Sequence, residues 1–216
     1  GMALLWIIVI TVPLGIFSAI KKNRISDHLI RILTICGISI PAFWLGYLLL
    51  TAFAIRIPVF KVVDYGSLRS LILPSITLAA SVVSSSVRML RATILENLKK
   101  DYVIYAQARG LSTSRILWKH VLKNALPPMV TLFFQNIGMM IGGSAIVESV
   151  FSWPGLGNYF VNAIVNRDLP VITGCVLVLG LIFVLCNTIG ELINQVLNPH
   201  MNSRKEGRTV EEKNIT

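Results

Sequence analysis

The sequence predicts an all-α, polytopic membrane bundle with five transmembrane helices, on three observations. Hydrophobic residues make up 54% of the 216 and charged residues only 14%, whereas a soluble domain carries roughly 25% charged residues. Mean hydropathy is +0.72. The apolar residues also gather into five runs, each near the roughly 20 residues that cross ~30 Å of hydrocarbon. Backbone groups in lipid must find partners within their own segment, so these runs are expected to be helices.

The runs are residues 3–20, 29–55, 71–95, 128–147 and 171–197. The first contains Pro13-Leu14-Gly15, which can kink a helix inside a bundle. A short basic turn, 21–31, follows. The second and third runs are long enough to tilt or protrude. In the second, Pro41 frees a backbone carbonyl and Ser39 can help satisfy it. Residues 56–70 form a short loop. The third run places Ser81, Ser84, Arg88 and Arg91 on one helical stripe, and such a stripe in a membrane faces protein or water. The alternative is that the serines pack helices while the arginines snorkel to headgroups.

The fourth run carries Gly138 and Gly142 as a GxxxG pair that permits close helix approach. Gln135, Met139, Gly142 and Ile146 share one of its faces, offering amide and thioether contacts to a solute; plain helix packing is the alternative. The fifth run has Asn187, Glu191, Asn194 and Asn198 on one stripe. Glu191 is an intramembrane acid, hence a functional candidate or a structural partner reached by water. Cys36, Cys175 and Cys186 lie in apolar runs without CxxC spacing and read as small buried hydrophobes. His28, His120 and His200 are isolated in sequence, so no metal site is expected.

Charge sets the orientation. Sixteen of the 20 Lys and Arg residues fall in alternate loops, leaving Arg56, Lys61, Arg69 and Arg167 on the other side. The positive-inside rule then makes residues 96–128 and the C-terminus cytoplasmic, in a multi-pass membrane protein. The net charge of +10 is thus a membrane signal. Lipid is an expected partner and nucleic acid is not. Residues 1–200 form the membrane domain, and 201–216 are a charged tail expected to be disordered.

The polar stretch 96–128 is the most informative. Val103, Ala106 and Leu111 stand at helix-compatible spacing, which predicts a short helix over 102–109. Gly110 breaks it. Ser112 or Thr113 can cap a second short helix over 114–123, which Asn124 and Pro127-Pro128 are expected to end. On pattern alone an ordinary basic cytoplasmic loop is the alternative.

Tyr105-Ala106-Gln107-Ala108-Arg109-Gly110-Leu111, followed by residues 122–128, resembles the EAA loop of ABC-transporter permeases, in particular the dipeptide/oligopeptide/nickel importers. Ala106 stands at that motif's second alanine and Gly110 at its glycine. Ile104 and Tyr105 replace its Glu and first Ala, a departure common in the peptide/nickel branch. Residues 39–46 are similar to the same class. So is Phe-Ser-Trp-Pro-Gly-Leu-Gly at 151–157 with the later Asn166-Arg167-Asp168, which resembles the external loop between the last two helices of that family. The turn of Trp153, Pro154, Gly155 and Gly157 needs small and rigid residues. A short amphipathic helix is expected behind it at 158–166, with an aromatic interfacial anchor as the alternative role.

The resemblance implies a type I importer permease whose coupling loop docks on an ATPase through Tyr105, Ala106, Ala108, Gly110 and Leu111. It implies two ATP-binding subunits that bind ATP and Mg, a second homologous permease subunit, and an external solute-binding protein docking near Trp153. Ser81, Ser84, Gln135, Met139 and Gly142 are its candidate path residues. The solute class is peptides, nickel or metal chelates. It further implies one more N-terminal helix, which this chain is expected to lack. The chain has no GxxxxGK[ST], HExxH, GxSxG or CxxC motif, so no enzyme chemistry and no cofactor of its own are expected. A self-contained channel or secondary transporter is the competing class. Internal repeats would favour it, and none stands out.

Overall fold

The structure, a computed structural model, describes residues 1–61 and 67–197. Part of the 56–70 loop, Asn198 and the charged tail lie outside the described residues. The described residues are helical, with no strand among them. In order they are α1 (Met2–Ile20), α2 (Ile25–Ser39), α3 (Ala42–Leu50), α4 (Ile72–Asn97), α5 (Asp101–Ala108), α6 (Thr113–Ile116), α7 (Leu122–Val150), α8 (Leu156–Val165) and α9 (Leu169–Leu197).

Four helical stretches are long and apolar enough to cross a membrane: Met2–Ile20, Leu68–Asn97, Thr113–Val150 and Leu169–Val196. The second expected span is not one straight helix. It is the pair Ile25–Ser39 and Ala42–Arg56, bent by 100°. The break lies at Ile40 and Pro41, both extended, with ψ of 121° and 137°. Proline disfavours helical geometry in the residue before it. Ser39 Oγ donates to the Ile35 carbonyl at 2.9 Å, one turn back on its own helix, and not to the Gly37 carbonyl that Pro41 frees.

α1 lies against α4 and runs through Pro13 without a break. At one end Trp6 Nε1 donates to Ser75 Oγ at 3.1 Å. At the other, Ile16 and Ala19 join Leu90 and Ile94 in a buried cluster. α7 packs on α9 through Gly138, over which Phe183 sits, and through Gly190, which faces Phe134. Gly142 has nothing near it, so only one glycine of the GxxxG pair is used for packing within the chain. Cys175 is buried and Cys186 half-buried, but Cys36 is exposed, contrary to the expectation of burial.

Candidate functional site

The α5–α6 platform is built on the largest buried cluster. Val103 and Ala106 of α5, Ile116 of α6, and Leu117, Val121, Leu122 and Ala125 at the start of the next span all pack against the ends of α1 and α4. This burial is why α5 and α6 sit firmly on the bundle. Tyr102 adds a polar tie, its hydroxyl donating to Asn97 Oδ1 at 3.1 Å.

Gly110 ends α5 with φ +76°. The Leu111 N–H bonds to the Ala106 carbonyl at 3.2 Å, and the Gly110 N–H to the Gln107 carbonyl at 2.9 Å. These two bonds make a Schellman cap, which needs a left-handed residue where Gly110 stands. Leu111 packs beside Ala106, completing the apolar contact such caps carry. Ser112 occupies the N-cap of α6 but makes no side-chain bond there.

The expected stop at Asn124 and Pro127-Pro128 does not occur. The chain stays helical from Thr113 to Val150. A widened π turn at Leu117–Val121 precedes the prolines, and Asn124 Nδ2 donates to the His120 carbonyl at 3.0 Å. Both features lie upstream of the Lys123 and Asn124 carbonyls that the two prolines leave without an N–H donor, and the helix continues past both. The second short helix is therefore the beginning of α7's span.

The platform's outward face is distinct from its core face. Ile104, Tyr105 and Trp118 are 58%, 71% and 61% exposed, and Ala108, Arg109 and Gly110 are exposed beside them. Ala106 is only 7% exposed, so its side chain supports the platform from within, and Leu111 is half-buried. Ile104 and Trp118 are not among the expected coupling residues. Their signal is apolar side chains falling out of register with the buried Val103 and Ile116.

A second feature lies beneath the platform, where Arg91 of the expected polar stripe meets an acid that no sequence pattern pairs with it. Asp27 is fully buried. It accepts Arg91 Nε at 2.7 Å on Oδ1 and Arg91 Nη2 at 2.7 Å on Oδ2. Ser18 Oγ adds a bond at 2.5 Å and the Asn23 N–H one at 3.0 Å. Every carboxylate lone pair is thus occupied, which is what makes a buried charge tolerable. Arg91 does not snorkel; it clamps α4 to α2 and α1.

On the opposite side, the Phe151–Gly157 turn is fixed by Glu148. Its Oε2 accepts the Asn158 N–H at 2.8 Å, so a carboxylate from α7 caps the N-terminus of α8 and meets its dipole. Asn158 Nδ2 donates to the Trp153 carbonyl at 3.0 Å. Gly155 has φ −115°, and the left-handed residue in the turn is Ser152 at +50°. Glycine is required at 155 and 157 by proximity instead. A Cβ on Gly155 would strike the Glu148 carboxylate, and one on Gly157 the Ala145 backbone. α8 begins at Leu156, two residues before the expected start.

A profile described as "Binding-protein-dependent transport system inner membrane component" matches residues 11–203. The chain belongs to that family. The glutathione transport system permease protein GsiC of Escherichia coli (strain K12) is 37% identical over 197 residues, 91% of this chain and 64% of that protein. GsiC of Salmonella typhimurium (strain LT2) is 38% identical over the same shares. The chain thus spans 64% of the length of these curated relatives. A solved structure described as inward-facing conformations of the MetNI methionine ABC transporter superposes with TM-score 0.71 at 19% identity, covering 90% of this chain and 89% of that one. That likeness establishes the fold, an all-α bundle.

In this inner membrane component the candidate path residues separate. Ser81 and Met139 meet across one open groove of about 350 Å³ between α4 and α7, together with Ser85, Asn136 and Gly143. Ser84 is buried where α4 approaches Gly37 and bonds its own helix at Ala80. Gln135 and Gly142 are exposed on the free face of α7, with Met139. Glu191 is exposed, with no ion pair among the described residues.

Proposed function

We propose that the chain is the membrane-embedded subunit of an ATP-driven importer, with the α5–α6 platform as its coupling element. The observation that carries this reading is the platform itself: two short helices joined by a left-handed glycine, locked into the bundle by their inner faces and displaying Tyr105, Ile104 and Trp118 outward. A solvated basic loop has no reason to hold large apolar side chains outward on a rigid base.

ATP and Mg bind two partner subunits in this reading. Their closure pushes on the exposed side of α5. The push passes through Val103 and Tyr102 to the end of α4, and through Arg91 and Asp27 to α2 and α1. It changes the bundle only because the partner contacts one state better than the other. A second permease subunit completes the pathway, and an external solute-binding protein delivers cargo at the Trp153–Gly157 turn. The platform faces the cytoplasm.

The GsiC relatives support a peptide-type solute and lend nothing to nickel. The test is purification of the full-length protein from its native membrane, followed by proteoliposome uptake of glutathione, a dipeptide and nickel. The expected result is a copurifying ATPase and ATP- and binding-protein-dependent uptake of glutathione or the dipeptide. ATP-independent transport with no copurifying ATPase would overturn the reading in favour of a self-contained channel or secondary transporter.

A further inference from the structure

We propose that Arg31 and Arg88 form an anion site that holds the carboxylate of the passing solute between α2 and α4. The inference rests on the importer reading and names a chemical requirement that it does not supply.

The Asp27–Arg91 pair fixes α2 and α4 against each other, and the Gly37–Ser84 approach lies further along both helices in the antiparallel sense. Arg31 is one turn beyond Asp27 and Arg88 about one turn before Arg91, so the two stand at one level. Both line an open groove of about 580 Å³, with Ile35, Ile38, Ser85 and Met89 among its walls. Neither guanidinium makes a side-chain hydrogen bond or ion pair among the described residues. No Asp or Glu lines the groove, and the acid one turn away, Asp27, is already saturated by Arg91, Ser18 and the Asn23 N–H.

Arg31 and Arg88 are both exposed to the groove, and two like charges at one level there repel each other. An oxyanion between them replaces that repulsion with charge-assisted, bidentate bonds. A solute carboxylate and a lipid phosphate share this chemistry. The groove's continuation favours the solute, because at Ile38 and Ser85 it meets the second groove, edged by Ser81 and Asn136. Asn136 Nδ2 has no hydrogen-bond partner among the described residues. Ser81, Ser85 and Asn136 set polar groups among the apolar walls of Ile38, Leu78, Val82 and Met140; a peptide can meet both kinds of surface, whereas an acyl chain would leave the polar groups unmet.

The test uses the assembled transporter in phosphatidylcholine nanodiscs and a photoreactive tripeptide, alanyl-benzoylphenylalanyl-alanine, as free acid and as C-terminal amide. Labelled residues are mapped by mass spectrometry and bound ATPase is quantified in the same sample. The free acid should label residues 31–38 and 85–92 about tenfold more than the amide, the loss expected for one charge-assisted pair. Arg31→Gln with Arg88→Gln should erase that preference, while Arg31→Lys with Arg88→Lys should retain part of it. Equal labelling by acid and amide in a sample that holds its ATPase would overturn the site alone. Acid-selective labelling with no ATPase bound would sink the importer reading and leave an anion site. Loss of acid labelling in phosphatidylglycerol-containing nanodiscs, with that lipid retained by wild type and not by the Gln variant, would assign the arginines to a headgroup and overturn the proposal.

Discussion

At Gly110 the backbone is left-handed, with φ +76°, and no neighbour within 4 Å would obstruct a side chain. The constraint there is conformational and owes nothing to packing, so a β-branched residue should cost about 1–2 kcal/mol locally. Gly110→Val should therefore reach the membrane at normal levels, yet lose solute-stimulated ATP hydrolysis and uptake together. Uptake by Gly110→Val at the wild-type rate would remove the platform from the mechanism. Asp27 and Arg91 make a different kind of residue-level claim. Removing either partner leaves a desolvated charge, at a cost of roughly 3–5 kcal/mol, whereas replacing both with apolar side chains is often neutral. Asp27→Leu and Arg91→Leu should each lower the thermal midpoint of the detergent-solubilised protein, and the double variant should recover most of the loss. Additive losses would show that the two side chains act independently.

Among the elements, the outer turn is held by what glycine leaves out. Gly155→Val displaces the Glu148 carboxylate that caps α8, and should impair uptake while ATPase association, measured by copurification, survives. Unimpaired uptake would reduce the turn to an interfacial anchor. Four of the five expected spans, the helix before Gly110 and the break at that glycine were legible in sequence, because each depends on local composition or on a single residue's conformational freedom. The continuous helix through Pro127 and Pro128 was not, since the strongest local stop signals are overridden by the packing of Val121, Leu122 and Ala125 in the buried cluster. The 100° break at Pro41 was legible as a disruption, but its size was not. Asp27 and Arg91 lie 64 residues apart, so no local pattern could pair them. The same holds for the arginine-lined groove, which exists only once α2 is folded against α4.

Across the whole molecule, the exposed faces are what the chain leaves for others. Hardly any of α9 is buried, and α7 shows Gln135, Met139, Gly142 and Ile146 on its free side. An amide facing lipid is unfavourable, and in the proposed importer this face is where the second permease subunit would sit. The basic residues predict the orientation. With Cys36 replaced by Ala, Ser114→Cys should resist a membrane-impermeant thiol reagent in intact cells while Asn158→Cys reacts; the reverse pattern would invert the topology. The central claim is that the outward side of α5 meets an ATP-hydrolysing subunit. The direct measurement is site-specific photocrosslinking in native membranes, with a photoreactive residue in place of Tyr105, Ala108 or, as the control across the bilayer, Tyr159. The account predicts that an ATPase is captured from positions 105 and 108 and not from 159. Capture of no ATPase at either cytoplasmic position, in a protein that still transports, would contradict it.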